Sequence, residues 1–223
     1  MSPFVSPFCV PQIALTSPWE LNWGDQVGPL NHSWHTVQLS FPPGTNMNAK
    51  LDEVYDDLKT FARFNRNHNT TAEVRPVMHQ GVKYMFFDAL GLFGLASDAI
   101  NPLEVPVRVW SDSVAREVYA DTTGAHMLVG QRRWSVRSVN ATTIEVMTES
   151  FDYVRDTLNL VGMLAVGAEK QIEVWDQYLQ NIRDHHVAAD GAVVAADVTG
   201  ASVNLGNQPS PWAPVIPYPG VEI

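Results

Sequence analysis

The sequence predicts an α+β fold in which an antiparallel sheet of about seven strands packs against one long C-terminal helix. From Val154 to His186, apolar residues recur every three or four positions, which places them on one face of a helix. Upstream, segments of alternating apolar and polar residues are joined by hairpin signals such as Gln80-Gly81 and Asn140-Ala141. A run of strands followed by a long amphipathic helix is the basis of this prediction.

The composition is that of a globular domain. The chain has 223 residues, of which 45% are hydrophobic and 17% charged, and no window approaches the roughly 18 apolar residues of a membrane span. The first residues carry no basic segment of the kind found in secretory signals, so we expect a cytoplasmic protein. A net charge of −10 opposes binding to nucleic acid or to anionic membranes, and the single cysteine, Cys9, excludes an internal disulfide.

The order of elements follows from periodicity and from turn residues. A strand from Trp34 to Phe41 ends at Pro42-Pro43, and an amphipathic helix follows from Asn48 to Asn65. Six further strands are predicted: Glu73–Met78, Val82–Leu90, Glu104–Trp110, Val114–Asp121, Ala125–Val139 and Thr142–Tyr153.

Three regions of the chain differ in composition. Residues 1–33 are rich in Pro, Trp and Asn and are interpreted as an irregular N-terminal arm. Residues 34–190 hold the predicted domain, and residues 191–223 are interpreted as a Pro-rich C-terminal extension. The arm or the extension offers a route to a homodimer.

The element order over residues 35–186, with the strand patterns HMLVGQRRWSV and TIEVMTESF, resembles the START/Bet v1-like (SRPBCC, polyketide cyclase-like) superfamily. This resemblance implies a helix-grip fold, in which a curved antiparallel sheet wraps around the long C-terminal helix. An internal cavity lies between the sheet and the helix. Members bind lipids, hormones or polyketides, and some act as polyketide cyclases or aromatases. A lipocalin-like barrel and a SnoaL-like cone fit the element order less well.

Strand alternation predicts which side chains face the interior. Arg132 and Trp134 share a face with Leu128, whereas Arg133 and Arg137 lie on the other face. On the next strand, Glu145 and Glu149 pair with those outer arginines and leave Thr148, Ser150 and Asp152 inside. In Val82–Leu90, an outward Lys83 makes Tyr84, Phe86 and Asp88 inward.

Four candidate catalytic residues follow from this assignment. Arg132 on an apolar face needs a carboxylate, supplied by Asp88 or Asp152, or a ligand oxygen that it would polarise. His126 would move a proton, Asp88 would act as a desolvated acid or base, and Tyr84 would donate a hydrogen bond to a carbonyl. The structural alternatives are an ion pair for Arg132, a capping role for His126 and core packing for Tyr84.

Candidate ligand-binding residues lie on the same predicted face or on the apolar half of the long helix: Trp134, Phe86, Leu128, Thr148 and Met163. No metal site is predicted, because His185 and His186 are adjacent on a helix and point in different directions. No nucleotide-binding or hydrolase motif occurs, so no cofactor is expected.

Three functional hypotheses remain. The first is a cyclase, isomerase or dehydratase that encloses a hydrophobic polyketide-like or other secondary-metabolite intermediate; a pericyclic step would need only the enclosure. The second is a non-catalytic carrier of a hydrophobic small molecule. The third is an interaction domain with a filled core.

Overall fold

A computed structural model describes residues 27–64, 74–88, 104–123, 126, 128–154 and 168–212; for 27, 74–75, 86–88, 104–106 and 168–171 it describes the backbone alone. Eight strands and two helices occur in these residues, in the order β1 Val27–Ser40, α1 Met47–Thr60, β2 Val74–His79, β3 Val82–Asp88, β4 Glu104–Asp112, β5 Glu117–Thr122, β6 Leu128–Ser138, β7 Thr143–Val154, α2 Ala168–Asp190 and β8 Val193–Asn204.

All eight strands form one antiparallel sheet in the order β2-β3-β4-β5-β6-β7-β1-β8. Strands β2 to β7 are a meander, since each strand pairs with the next one in the chain. Strand β1 closes onto β7, and β8 then pairs with β1. The predicted α+β fold with a curved antiparallel sheet is confirmed.

Helix α1 forms because its sequence supplies a cap and an apolar stripe. The Asn46 side chain accepts a hydrogen bond from the backbone N–H of Ala49 at 3.2 Å. Its buried stripe includes Leu51, Val54 and Leu58, which join the core above the sheet.

The sheet has an inner face, which carries α1 and α2, and an outer face. Core residues on the inner face include Val37 and Leu39 from β1 and Val136 from β6, and they pack with Leu179 and Ile182 of α2. Residues directly opposite each other on paired antiparallel strands share a face, so the register assigns each side chain to one face.

Three differences from the sequence-based expectation are the largest. Strand β1 begins at Val27 rather than at Trp34. Val154 ends β7, so the prediction that the long helix starts there is wrong. Residues 155–167 lie outside the described part of the chain. In the described residues, α2 begins at Ala168.

The third difference is β8, an eighth strand in a segment that the sequence analysis assigned to the extension. Most of its residues are exposed. A strand without a buried face needs no alternation of apolar and polar residues, so the sequence carries no strand signal there. Among the described residues, no helix is both long and apolar enough to cross a membrane.

Candidate functional site

Arg132 lies in the middle of β6, and its guanidinium is buried on the inner face of the sheet. It is 8% exposed. Nη1 donates to Thr148 Oγ1 at 3.1 Å, and Nη2 donates to Ser33 Oγ at 3.0 Å and to Ser150 Oγ at 2.7 Å. The guanidinium also lies 4.3 Å from the ring centre of Trp175 on α2. The predicted inward position of Arg132 agrees with this structure.

The serine hydroxyls link Arg132 to a buried carboxylate. Ser150 Oγ donates to Asp152 Oδ2 at 2.8 Å, and Ser33 Oγ lies 2.8 Å from Ser150 Oγ. Because each hydroxyl has one hydrogen and Ser150 gives its hydrogen to Asp152, Ser33 must donate to Ser150. The chain of donors therefore runs from Arg132 through the serines to Asp152, and no direct Arg132–Asp152 ion pair occurs among the described contacts.

Arg132 and its neighbour Arg133 have opposite environments. On the outer face, Arg133 contacts Glu117 at 3.1 Å and Glu149 at 2.7 Å. Although burial opposes the charge of Arg133, the hydrogen bond to Glu149 leads to a raised pKa. Burial lowers the pKa of Arg132 to about 10, against the charges of Asp152 and Glu149. Arg132 thus stays charged at neutral pH, with hydroxyl groups as its hydrogen-bonding partners.

The second buried titratable group on this face is His35 of β1. Its Nδ1 lies 2.7 Å from Asp176 Oδ1 on α2, and its side chain is fully buried. A carboxylate can only accept, so Nδ1 carries the hydrogen and Nε2 of the neutral ring has a free lone pair. Nε2 has no hydrogen-bonding partner among the described residues.

Burial and the charge of Arg132 lower the pKa of His35, while the hydrogen bond and charge of Asp176 raise it, and the net shift is downward. His35 is therefore neutral at pH 7. In this arrangement a carboxylate orients the neutral ring, and Nε2 keeps a lone pair that can accept a proton, as a general base requires.

Strand β8 leaves room for this pair through Gly200, which is opposite His35 in the register. A Cβ atom at Gly200 would lie 2.3 Å from His35 Nδ1 and 2.5 Å from Asp176 Oδ1. No side chain larger than hydrogen fits there without moving the hydrogen bond. The last strand of the sheet thus fixes the geometry of His35 and Asp176.

We call Ser33, His35, Arg132, Thr148, Ser150, Asp152 and Asp176 the inner polar cluster. An aromatic group adjoins it: the Trp175 ring is 5.4 Å from that of Trp134 and 6.4 Å from that of Tyr178. Trp134 Nε1, Tyr178 OH and Asp152 Oδ1 are buried without a hydrogen-bonding partner among the described residues. Unpartnered buried polar atoms cost stability, and a molecule bound beside the inner polar cluster would supply partners for these three.

The structure places the predicted site residues unequally. Trp134, Leu128 and Thr148 are buried on the inner face, and Thr148 contacts Arg132. His126 precedes the start of β6, and its Nδ1 accepts a hydrogen bond from the N–H of Leu128 at 3.0 Å, which is the capping role given as its alternative.

The predicted inward position of Tyr84 is wrong. Tyr84 is opposite Arg108, Arg108 is opposite Asp121, and Asp121 is opposite Gln131, so all four lie on the outer face. Lys83 is inward instead, because its long chain lets the ammonium reach the end of α1, where Nζ donates to Lys59 O at 3.1 Å.

Asp88 and Phe86 lie on β3, which is separated from β6 by two strands, and their side chains are outside the described part. Among the described contacts, Arg132 is linked to Asp152 through Ser150. Met163 lies outside the described residues altogether.

His35, Asp176 and Trp175 were missed by the sequence analysis. The available signal was the alternation of β1, which puts His35 on the same face as Val37 and Leu39. A histidine in an apolar stripe needs a buried partner, but the partner on α2 is distant in the chain and has no motif.

His185 and His186 lie beside Glu53 of α1, and one ligand atom from each lies within 4.8 Å of the others. Two cations already bind this group: Lys50 Nζ is 2.6 Å from Glu53 Oε2, and Arg63 Nη2 is 3.0 Å from His185 Nε2. We assign the group to the contact between α1 and α2, because nearby ammonium and guanidinium groups repel a metal ion.

A cavity of about 530 Å³ lies between the end of α1 and strands β3, β4 and β5. Its lining includes Tyr55, Lys83 and Val118, and it shares no residue with the inner polar cluster. This cavity lies against the first helix, whereas the sequence predicted one against the long helix.

No family model and no curated protein matches the sequence. Among solved structures, the Zhui aromatase/cyclase from Streptomyces sp. R1128 is 14% identical, with a TM-score of 0.46 over 72% of this chain and 98% of that one. The di-domain aromatase/cyclase StfQ of the steffimycin biosynthetic pathway is 15% identical, with a TM-score of 0.45 over 69% of this chain and 45% of that one.

Norcoclaurine synthase from Thalictrum flavum, in complex with dopamine and hydroxybenzaldehyde, is 10% identical, with a TM-score of 0.43 over 79% of this chain and 98% of that one. The aromatase/cyclases and norcoclaurine synthase have Bet v1-like helix-grip folds. At these scores they carry no argument about activity, which must come from the residues of this chain. The described residues of this chain have an α+β arrangement, with an eight-stranded antiparallel sheet and a long helix, α2.

Proposed function

We propose that this protein is a cofactor-independent enzyme that abstracts a proton next to a carbonyl group and so promotes cyclisation, isomerisation or dehydration of a hydrophobic, polyketide-like intermediate. The observation that carries the proposal is the buried Asp176–His35 pair, whose Nε2 has no partner among the described residues. The substrate class follows the family resemblance of the sequence, and the chemistry follows the inner polar cluster.

In the proposed step, His35 Nε2 takes a proton from the carbon next to the carbonyl, and the electron pair moves onto the carbonyl oxygen. Asp176 stabilises the imidazolium that forms, because it accepts the Nδ1 hydrogen at 2.7 Å. The enolate then attacks a second carbonyl carbon or expels a hydroxyl group. The imidazolium returns its proton to the new alkoxide or to the departing hydroxyl, so protons balance over the cycle.

Arg132 has the electrostatic role. Its charge sits in a low-dielectric interior, where it favours the developing negative charge on the substrate oxygen. The hydroxyls of Thr148, Ser33 and Ser150 take three of its five N–H groups and hold the guanidinium in one orientation. Orientation fixed before the reaction avoids a reorganisation cost during it.

The test measures proton abstraction alone, so it needs no knowledge of the native substrate. Aryl methyl ketones are incubated in D₂O, and deuterium entry at the methyl group is followed by NMR. We expect the protein to catalyse exchange, and His35→Gln to slow the catalysed rate about 100-fold, the usual contribution of a general base.

His32→Gln is the matched control, because His32 lies on the same strand but on the outer face, where it contacts Glu149 at 2.8 Å. Its exchange rate should equal that of the wild type. Equal rates in folded His35→Gln and wild-type protein would reject the assignment of His35.

A carrier function is the second candidate, favoured by the cavity of about 530 Å³ that shares no residue with the inner polar cluster. A carrier would bind hydrophobic ligands without catalysing exchange. Binding without exchange across the ketone series would therefore decide for the carrier.

A further inference from the structure

The cavity beside α1 has a charge that is unusual for this chain. Lys59 and Lys83 both line it, and none of its lining residues in the described part is acidic. The whole chain has a formal net charge of −10 with only 14 Lys and Arg residues. Two ammonium groups at one cavity thus form a local positive site on an acidic protein.

Both lysines have partners, and those of Lys59 include the ring of Tyr55, whose centre lies 4.8 Å from Lys59 Nζ. Lys83 Nζ donates to the backbone carbonyl of Lys59 at 3.1 Å and so caps the end of α1. Lys59 contacts Asp56 at 2.8 Å on the exposed side of the helix. An ammonium has three hydrogens, so capping the helix uses one of the three on Lys83.

The position of Lys83 is costly without a compensating anion. Burial and the nearby charge of Lys59 both lower the pKa of Lys83. Two like charges facing one cavity repel each other, and an anion placed between them would remove that repulsion.

The remaining walls of the cavity combine apolar side chains with hydroxyl groups. Val109 and Val118 are buried on the inner face, and Tyr55 of α1 lies above them. Ser111 and Ser113, at the β4–β5 turn, add hydroxyl groups at the rim. A volume of about 530 Å³ is in the range of small-molecule sites.

We propose that this cavity binds an organic anion with an apolar body, such as an aromatic carboxylate, with its charged group on Lys83 and Lys59 and its body against Tyr55, Val109 and Val118. The site is separate from the inner polar cluster and does not depend on the catalytic proposal. Aromatic sulfonates share the required chemistry, a planar apolar body with one anionic group.

The test uses 8-anilinonaphthalene-1-sulfonate and its uncharged analogue N-phenyl-1-naphthylamine, followed by fluorescence titration. Lys83→Met removes the charge and keeps an unbranched side chain that is one atom shorter. We expect it to weaken sulfonate binding about tenfold or more and to leave the neutral probe within about twofold, since a charged hydrogen bond is lost from one ligand only. Arg137→Gln, which removes a charge from an exposed outer position, should change neither affinity.

A second variant guards against loss of folding in Lys83→Met. Ser111→Asp places a carboxylate at the rim of the cavity and should weaken the sulfonate selectively. Amide shifts of ¹⁵N-labelled protein should concentrate at 109–118 when the sulfonate binds.

Unchanged sulfonate affinity in both variants, or shifts centred on His35 and Arg132, would overturn the proposal. Ketone exchange should be the same in Lys83→Met and wild type, which keeps this test independent of the catalytic one.

Discussion

Along β1, β6 and β7, the inner face of the sheet is apolar at one end and polar at the other. The apolar end contains buried aliphatic residues, namely Val37, Leu39, Val136, Ile144 and Val146. Further along the same strands, the face carries Ser33, His35, Arg132 and Asp152, also buried. Both ends lie on the same strands of one sheet, so secondary structure does not explain the difference.

The two ends differ in what they contribute to folding. Aliphatic burial stabilises the fold through area removed from water. Burying Arg132 and Asp152 has a desolvation cost of several kcal/mol per ion before partners compensate it. Hydroxyl contacts offset part of that cost. In the described part of the chain, His35 Nε2 and Asp152 Oδ1 still have no hydrogen-bonding partner. Because these buried polar groups cost stability, we infer that they serve a chemical function. The candidate site is assigned to the polar end for this reason.

The largest effect on stability should come from the apolar end. Leu39→Ala removes a fully buried side chain and should lower the free energy of unfolding by about 3 kcal/mol, from lost transfer energy and the cavity left behind. Urea denaturation measures it. Val194→Ala on β8, where the side chain is 43% exposed, is the control and should change stability by less than about 0.5 kcal/mol. A loss below about 1 kcal/mol for Leu39→Ala would mean that the apolar end does not carry the fold.

The next largest effect should come from Gly200→Ala at the polar end. The new methyl group would meet His35 Nδ1 and Asp176 Oδ1, so we expect a loss of about 1–3 kcal/mol in stability together with slower ketone exchange. Denaturation and the exchange assay measure the two effects on the same samples. Thr199→Ala, next to Gly200 on an exposed part of β8, should change neither. Normal exchange in Gly200→Ala would show that the His35–Asp176 geometry is not needed.

The smallest effect is a shift in pH dependence. The exchange rate should rise with pH to a plateau, because the neutral ring of His35 is the base. The midpoint of this rise should lie below pH 6.5, because the pKa of His35 is lowered. Because Asp176 raises that pKa, Asp176→Asn should move the midpoint further down. A midpoint above 6.5 in the wild type would contradict burial as the dominant cause.

The same group links pH to folding. With the folded-state pKa of His35 below its ordinary 6.5, the unfolded chain binds the proton more tightly. The stability contributed by neutral His35 is therefore complete above 6.5 and is lost as pH falls from 6.5 through the folded-state pKa. Urea denaturation of wild type and His35→Gln across this range should show the extra acid sensitivity in the wild type alone.

The sequence predicted the architecture and the inward-facing side chains of β6 and β7. Regular alternation in β6 and β7 placed Arg132, Trp134 and Thr148 correctly, because one buried face makes the register easy to read. The predicted outer pairs were also confirmed: Arg133 contacts Glu149, and Arg137 contacts Glu145.

The failures have physical causes. Lys83 was placed outward because a charge usually faces water, but its ammonium reaches the end of α1 from an inward position. Strand β8 gave no signal because it is an exposed edge strand of small residues. The His35–Asp176 contact joins the first strand to the last helix, and a pair separated by 141 positions leaves no local pattern in the sequence.

We infer that the polar end holds a neutral histidine base, His35, whose Nε2 has no hydrogen-bonding partner among the residues that the structure describes. Long-range ¹H–¹⁵N correlation spectra of ¹⁵N-labelled protein at pH 7 report the tautomer and charge of His35 directly, with His35→Gln providing the assignment. We predict a neutral ring with the hydrogen on Nδ1 and a bare Nε2. A charged imidazolium at pH 7, or a hydrogen on Nε2, would contradict the account.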